Sequence, residues 1–131
     1  MESGQDKLQE LIVRHCAILR ANADLLAGCV ARMSDPDNAS GQPARDALHI
    51  AHQVAGAGGS IGFHEISAIA SDIERALQPI VAINGMPSAA QKARIDALVH
   101  RLQRVAAELK PQMSTLYRLD VAAIAGERHR A

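Results

Sequence analysis

Apolar residues recur every three or four positions in four separate segments of this 131-residue chain. That spacing places them on one face of an α-helix and predicts four amphipathic helices. The first covers about residues 6–33, and the second begins near Pro43. The third covers about residues 63–78, where Pro79 ends or kinks the helix. Only 2% of the residues are aromatic, which suits closely packed helices better than a β-sheet. We therefore expect an all-α protein.

The fourth helix is expected to begin at a capping box. Ser88 and Gln91 have the spacing at which two side chains satisfy backbone N–H groups at a helix N-terminus. The apolar positions then continue in phase beyond Pro111 as far as Leu116, which predicts a kinked continuation or an extra C-terminal helix. Because short polar turns join the four segments, an antiparallel four-helix bundle is the simplest arrangement.

Charge and cysteine content restrict the class of protein. The chain has 14 Lys and Arg against 14 Asp and Glu, spread along its length, which argues against a nucleic-acid partner. No apolar run approaches the roughly 18 residues that span a membrane. Cys16 and Cys29 are separated by about 20 Å along one helix, too far for a disulfide. We expect a cytoplasmic monomer with reduced cysteines, one domain at residues 1–125, and a flexible C-terminal tail at 126–131.

A glycine-rich stretch, AHQVAGAGGSIGF, begins at Ala51 within the helical apolar pattern. Each glycine inside a helix costs about 1 kcal/mol relative to alanine. If Ala51 is central to the buried face, His52 lies at its edge, and side chains one and two turns later would lean over the imidazole. Those positions are Gly56 and Gly59. Open access to His52 is one interpretation, and the other is close helix packing or a helix end before a loop at residues 58–62.

The segment AHQVAGAGGSIGFHEISAIASDIE, from Ala51 to Glu74, resembles the signature of the histidine-containing phosphotransfer (HPt) domain. The resemblance implies a four-helix bundle in which His52 accepts a phosphoryl group and Glu74 orients its ring. It also implies that Gly56 provides clearance and that Gly62 forms a turn. A carboxylate that accepts a hydrogen bond from Nδ1 leaves Nε2 as the nucleophile.

The sequence departs from the family pattern at Ala55. Three residues after the histidine such domains usually have a lysine, whose ammonium would lie near the phosphoryl group. The available substitutes are Arg45 and His49, two turns and one turn before His52. The surface expected to provide clearance and to dock a partner comprises Gly56, Gly59, Gln53, Arg45 and His49.

The function that the resemblance implies is that of a phosphorelay carrier. The partners would be receiver domains of response regulators and a hybrid histidine kinase. The glycines follow a helix instead of a strand and form no nucleotide-binding motif, so we do not expect an ATP-dependent enzyme. We expect no cofactor or metal in this chain, and Mg²⁺ on the receiver domain.

Two alternatives remain open. A module that binds a receiver or a kinase without chemistry is favoured by the missing lysine at Ala55. A metal site is suggested by His49 and His52, three residues apart on one helix, with His64 nearby in the sequence. However, two histidines are too few for a closed zinc site, and His49 is turned about 60° further from the core than His52.

Overall fold

A computed structural model describes residues 4–35 and 40–118. Its four α-helices are α1 (Gly4–Arg32), α2 (Gln42–Ser60), α3 (His64–Ala82) and α4 (Ala89–Ala107), and a 3-10 turn follows at Pro111–Met113. No strand occurs in these residues, and the prediction of an all-α protein is confirmed. None of the described helices is long and apolar enough to cross a membrane. The expected tail at residues 126–131 lies outside the described part of the chain.

The helices form an antiparallel four-helix bundle, as predicted. Both α1 and α3 pack against α2 on one side and against α4 on the other. Arg20 Nε donates to the carbonyl of Ala106, whereas Gln103 Nε2 donates to Asp24 Oδ1. A later residue of α1 thus bonds to an earlier residue of α4, so these two helices run in opposite directions. The capping box predicted at Ser88 is present at the start of α4.

The core is aliphatic, and the four helices contribute to it unequally. Burying one large aliphatic side chain stabilises the fold by about 1.5–3 kcal/mol. Such side chains come from α1, α3 and α4, including Ile12, Leu19, Leu26, Ile66, Ile69, Ile73, Leu77, Ile80, Ile95 and Leu102. The buried residues of α2 are smaller and include Ala44, Ala47, Ala51, Val54 and Gly58. Because its inner face is so small, α2 lies close against its neighbours.

Both cysteines are buried in this core as free thiols. Burial raises the pKa of the Cys16 thiol, although the nearby positive charge of Arg20 opposes the shift. A raised pKa keeps the thiol protonated near neutral pH, and only the thiolate is reactive. Cys16 thus serves as a small apolar side chain.

The end of α3 lies further along the chain than predicted. Instead of stopping near residue 78, the helix includes Pro79 and continues to Ala82. Pro79 is exposed, whereas Leu77 and Ile80 are buried against the core. Packing of these two side chains holds the last turn despite the backbone N–H that proline lacks.

The prediction of a fourth helix that continues through Leu116 is wrong. Helix α4 ends at Ala107, and Lys110 has an extended backbone with φ −124° and ψ 144°. This is the conformation that a following proline, here Pro111, imposes on the preceding residue. The Arg20 guanidinium donates to the carbonyl of Ala106 in the last turn of α4 and to that of Leu109 just after it, which satisfies these groups without further helix.

The turn between α2 and α3 depends on Gly62, whose φ is +87°. An added Cβ would lie 2.9 Å from the backbone nitrogen of Thr115, which donates to the carbonyl of Gly62 at 3.1 Å. Gly62→Ala combines a left-handed backbone with a clash against the backbone nitrogen of Thr115. We expect it to lower the free energy of unfolding by about 2–3 kcal/mol, as measured by urea denaturation.

Gly28→Ala is the matched control for this prediction. Gly28 lies within α1, and no heavy atom lies within 4 Å of an added Cβ. Alanine should therefore raise the free energy of unfolding by up to about 1 kcal/mol. Equal stability of the Gly62→Ala and Gly28→Ala proteins would contradict the conformational role of Gly62.

Candidate functional site

His52 lies midway along α2, at the edge of its buried face. Ala51, the residue before it, is fully buried, and each successive residue is rotated by about 100° around the helix. The imidazole therefore leaves the core beside α3, and its side chain is 74% exposed. A ring in this position is accessible to another molecule.

Glu74 occupies the corresponding position on α3. It follows the fully buried Ile73, and its side chain is 22% exposed. Glu74 Oε2 lies 2.8 Å from His52 Nδ1. Because a carboxylate has no proton to give, the Nδ1–H of the ring is the donor. In that tautomer Nε2 carries the lone pair and can act as a nucleophile.

Small residues bring α2 and α3 close enough for this hydrogen bond. A Cβ added at the buried Gly58 would lie 3.2 Å from Ile66 Cγ2 and 3.3 Å from the backbone nitrogen of Ser67. Ser67 Oγ also donates to the carbonyl of Ala55 at 2.7 Å. Since α2 continues to Ser60, Gly58 serves close helix packing and does not begin a loop. These contacts hold the two helices at a spacing that a glutamate side chain can bridge.

Gly56 and Gly59 have different surroundings. No heavy atom lies within 4 Å of a Cβ added at Gly56, so the space one turn beyond His52 is open. A Cβ added at Gly59 would lie 3.2 Å from Ser67 Oγ, and Gly59 is half-buried. Gly59 therefore permits the close approach of α3, which differs from the clearance over His52 expected from the sequence.

A surface groove of about 410 Å³ lies between α2 and α3 and includes His52 at one end. Its lining residues are Arg45, Leu48, His49, His52, Glu74 and Val81. The Arg45 guanidinium is engaged, because Nη1 donates to Asn84 Oδ1 at 2.7 Å and Nη2 donates to Gln42 Oε1 at 2.8 Å. His49 is exposed. The groove thus brings together four of the residues predicted from the sequence.

Basic groups are distributed unevenly around His52. The segment from Gln53 to Glu74 has no Lys or Arg, and Ala55 is half-buried against the core. Gln53 is exposed but does not line the groove. The basic side chains that line the groove all precede His52 in the sequence.

The three histidines considered as metal ligands do not come together. His49 and His52 share the groove, whereas His64 Nε2 lies 3.4 Å from Thr115 Oγ1 at the end of the bundle near the α2–α3 turn. In the part of the chain that the structure describes, no three His, Cys, Asp or Glu residues are arranged to hold a metal ion.

Sequence reasoning did not single out Asn84 as part of this region. Asn84 has a positive φ of 50°. It is followed by Gly85, and the dipeptide Asn–Gly is typical of turns. That signal predicts a turn but not the hydrogen bond to Arg45, which lies 39 positions earlier in the chain. The contact depends on how α2 and α3 are paired.

Comparison with protein-family models finds a match to one family. A family model described as the Hpt domain matches residues 6–110, which include α2, α3, α4 and nearly all of α1. No curated protein and no solved structure gives a significant match.

Proposed function

The chain belongs to the Hpt domain family, and from this premise we propose that it is a phosphorelay carrier. In this proposal His52 accepts a phosphoryl group from an aspartyl phosphate on one receiver domain and passes it to an aspartate of another. The observation that carries the proposal is the exposed ring of His52 with its Nδ1 hydrogen-bonded to Glu74. Hpt domains in general are phosphotransfer carriers without ATP-binding machinery.

The proposed reaction begins when the Nε2 lone pair of His52 attacks the phosphorus atom. A nitrogen–phosphorus bond forms while the bond from phosphorus to the aspartate oxygen breaks, and that bond's electron pair leaves with the carboxylate. The ring keeps its Nδ1 proton and becomes positively charged. The Glu74 carboxylate accepts a hydrogen bond from that proton and stabilises the charge. Attack on phosphorus by the second receiver's aspartate then restores the neutral ring.

The partners of this carrier are response-regulator receiver domains and a hybrid histidine kinase. We assign Mg²⁺ to the receiver, where it would neutralise the transferring phosphoryl group. The balanced charge of the chain supports a carrier that does not bind nucleic acid. We expect a cytoplasmic monomer that does not associate with membranes. The docking surface of the proposal surrounds His52 and includes Gly56, Gln53, His49 and Arg45, with Gly59 at its edge.

Substitutions of Glu74 test the role of the ring's partner. Glu74→Gln keeps an oxygen that accepts the Nδ1–H bond but removes the negative charge, and we expect transfer to slow by about fivefold to tenfold. Glu74→Ala removes the acceptor as well, and we expect a loss of about thirtyfold to hundredfold. The measurement is the rate at which radioactive phosphate moves from a phosphorylated receiver to the chain.

Glu65→Gln is the control on the same helix. Glu65 is exposed, and its carboxylate lies 3.9 Å from Arg101, far from the groove. This variant should accept phosphate at the wild-type rate. If Glu74→Ala also does so, Glu74 does not orient or stabilise the ring.

A further inference from the structure

The phosphoryl group that His52 would carry brings two negative charges to the surface of α2. After His52, the residues that flank it on this surface are uncharged as far as Asp72, apart from His64 and Glu65 at the far end of the bundle. Ala55, one turn later, packs against the core, and Gly56 has no side chain. This stretch therefore offers no positively charged side chain to the phosphoryl group, whereas Arg45 and His49 line the groove on the N-terminal side of His52.

The direction of helical side chains favours the N-terminal end of the groove. Side chains on a helix lean toward its N-terminus, so the imidazole of His52 leans toward the turn that contains His49 and Leu48. Residues three positions apart on a helix have Cβ atoms about 5–6 Å apart. A group attached to Nε2 of His52 would thus lie within reach of the His49 side chain.

Arg45 is less well placed for this contact. It lies two turns before His52, which is about 10 Å along the helix axis. Its guanidinium also donates to Asn84 and Gln42, bonds that hold it at the far end of the groove. By contrast, His49 makes no hydrogen bond or ion pair with any residue that the structure describes.

We propose that His49 contacts the phosphoryl group carried by His52, an inference that rests on the proposed function. A ring N–H of His49 donates a hydrogen bond to a phosphoryl oxygen on Nε2, both as the nitrogen–phosphorus bond forms and in the phosphorylated protein. No bond to His49 is made or broken. The contact occupies the part of the groove between His49 and His52 and favours the phosphorylated state.

Phosphoramidate, a small phosphoryl donor, separates this contact from partner docking. With it, His49→Ala should lower the rate of His52 phosphorylation by about fivefold to tenfold and shorten the lifetime of the phosphohistidine. His49→Lys, which again places an N–H donor at this position, should recover most of both losses. Helical circular dichroism should be unchanged, because His49 is exposed.

His100→Ala is the matched control, since His100 is an exposed histidine on α4 that does not line the groove. It should match the wild type in rate and lifetime. If wild-type His52 is phosphorylated but His49→Ala matches the wild type as well, this inference fails while the carrier function stands. The inference also fails if peptide mapping finds the phosphoryl group on His49. If neither phosphoramidate nor a phosphorylated receiver modifies His52, the carrier function itself fails.

Discussion

His52→Gln should abolish transfer of a phosphoryl group to this protein. Glutamine retains a polar side chain of similar length but has no nitrogen lone pair able to attack phosphorus. Because the side chain of His52 is 74% exposed, the substitution should change the free energy of unfolding by less than about 0.5 kcal/mol. The assay is incubation with a radioactively phosphorylated receiver, followed by separation of the two proteins.

The control for this loss is His100→Gln, which places the same new side chain on the exposed face of α4. It should accept phosphate as the wild type does. Labelling of His52→Gln at the wild-type level would show that another residue is the acceptor, and mapping of the labelled peptide would identify it.

Gly56→Gln should block transfer from a receiver while making the helix more stable. The space around an added Cβ at Gly56 is open, and glutamine favours a helix over glycine by up to about 1 kcal/mol. Its side chain would lean toward His52, one turn earlier, and occupy the space through which the receiver's aspartate must approach. We expect receiver-dependent transfer to fall by more than about tenfold, the equivalent of roughly 1.4 kcal/mol in the barrier.

Two comparisons make this prediction specific. Gly28→Gln adds the same side chain at an open position on α1, and it should gain stability without losing transfer. Phosphoramidate is small enough to reach His52 in the Gly56→Gln protein, so phosphorylation by this donor should persist. Transfer from the receiver to Gly56→Gln at the wild-type rate would refute the clearance role of Gly56.

The edge positions of His52 and Glu74 follow from local sequence because each residue comes directly after one that is fully buried. Ala51 and Ile73 have no exposed surface, so helix geometry alone places the next side chain at the edge of the buried face. Once α2 and α3 are joined by a short turn at Gly62, the two edges face each other. Periodicity thus predicts that both residues lie at the edges of their buried faces, whereas the pairing of Glu74 with His52 was implied by the resemblance to the HPt signature.

Other features depend on contacts between segments that are distant in the sequence. The end of α4 is set partly by Arg20 on α1, whose guanidinium satisfies carbonyls there. Gly59 faces Ser67 on α3 instead of the space above His52, because close packing of the two helices places that position in their contact. Neither outcome can be derived from the periodicity of a single helix.

The carrier function is tested by the intact mass of the wild-type protein after incubation with a phosphorylated receiver domain and Mg²⁺. We predict a gain of one phosphoryl group, mapped to His52, stable in alkali and lost in acid as expected for a nitrogen–phosphorus bond. A wild-type protein that gains no mass from any phosphorylated receiver, yet binds one tightly, would contradict the carrier function and identify the chain as a binding module.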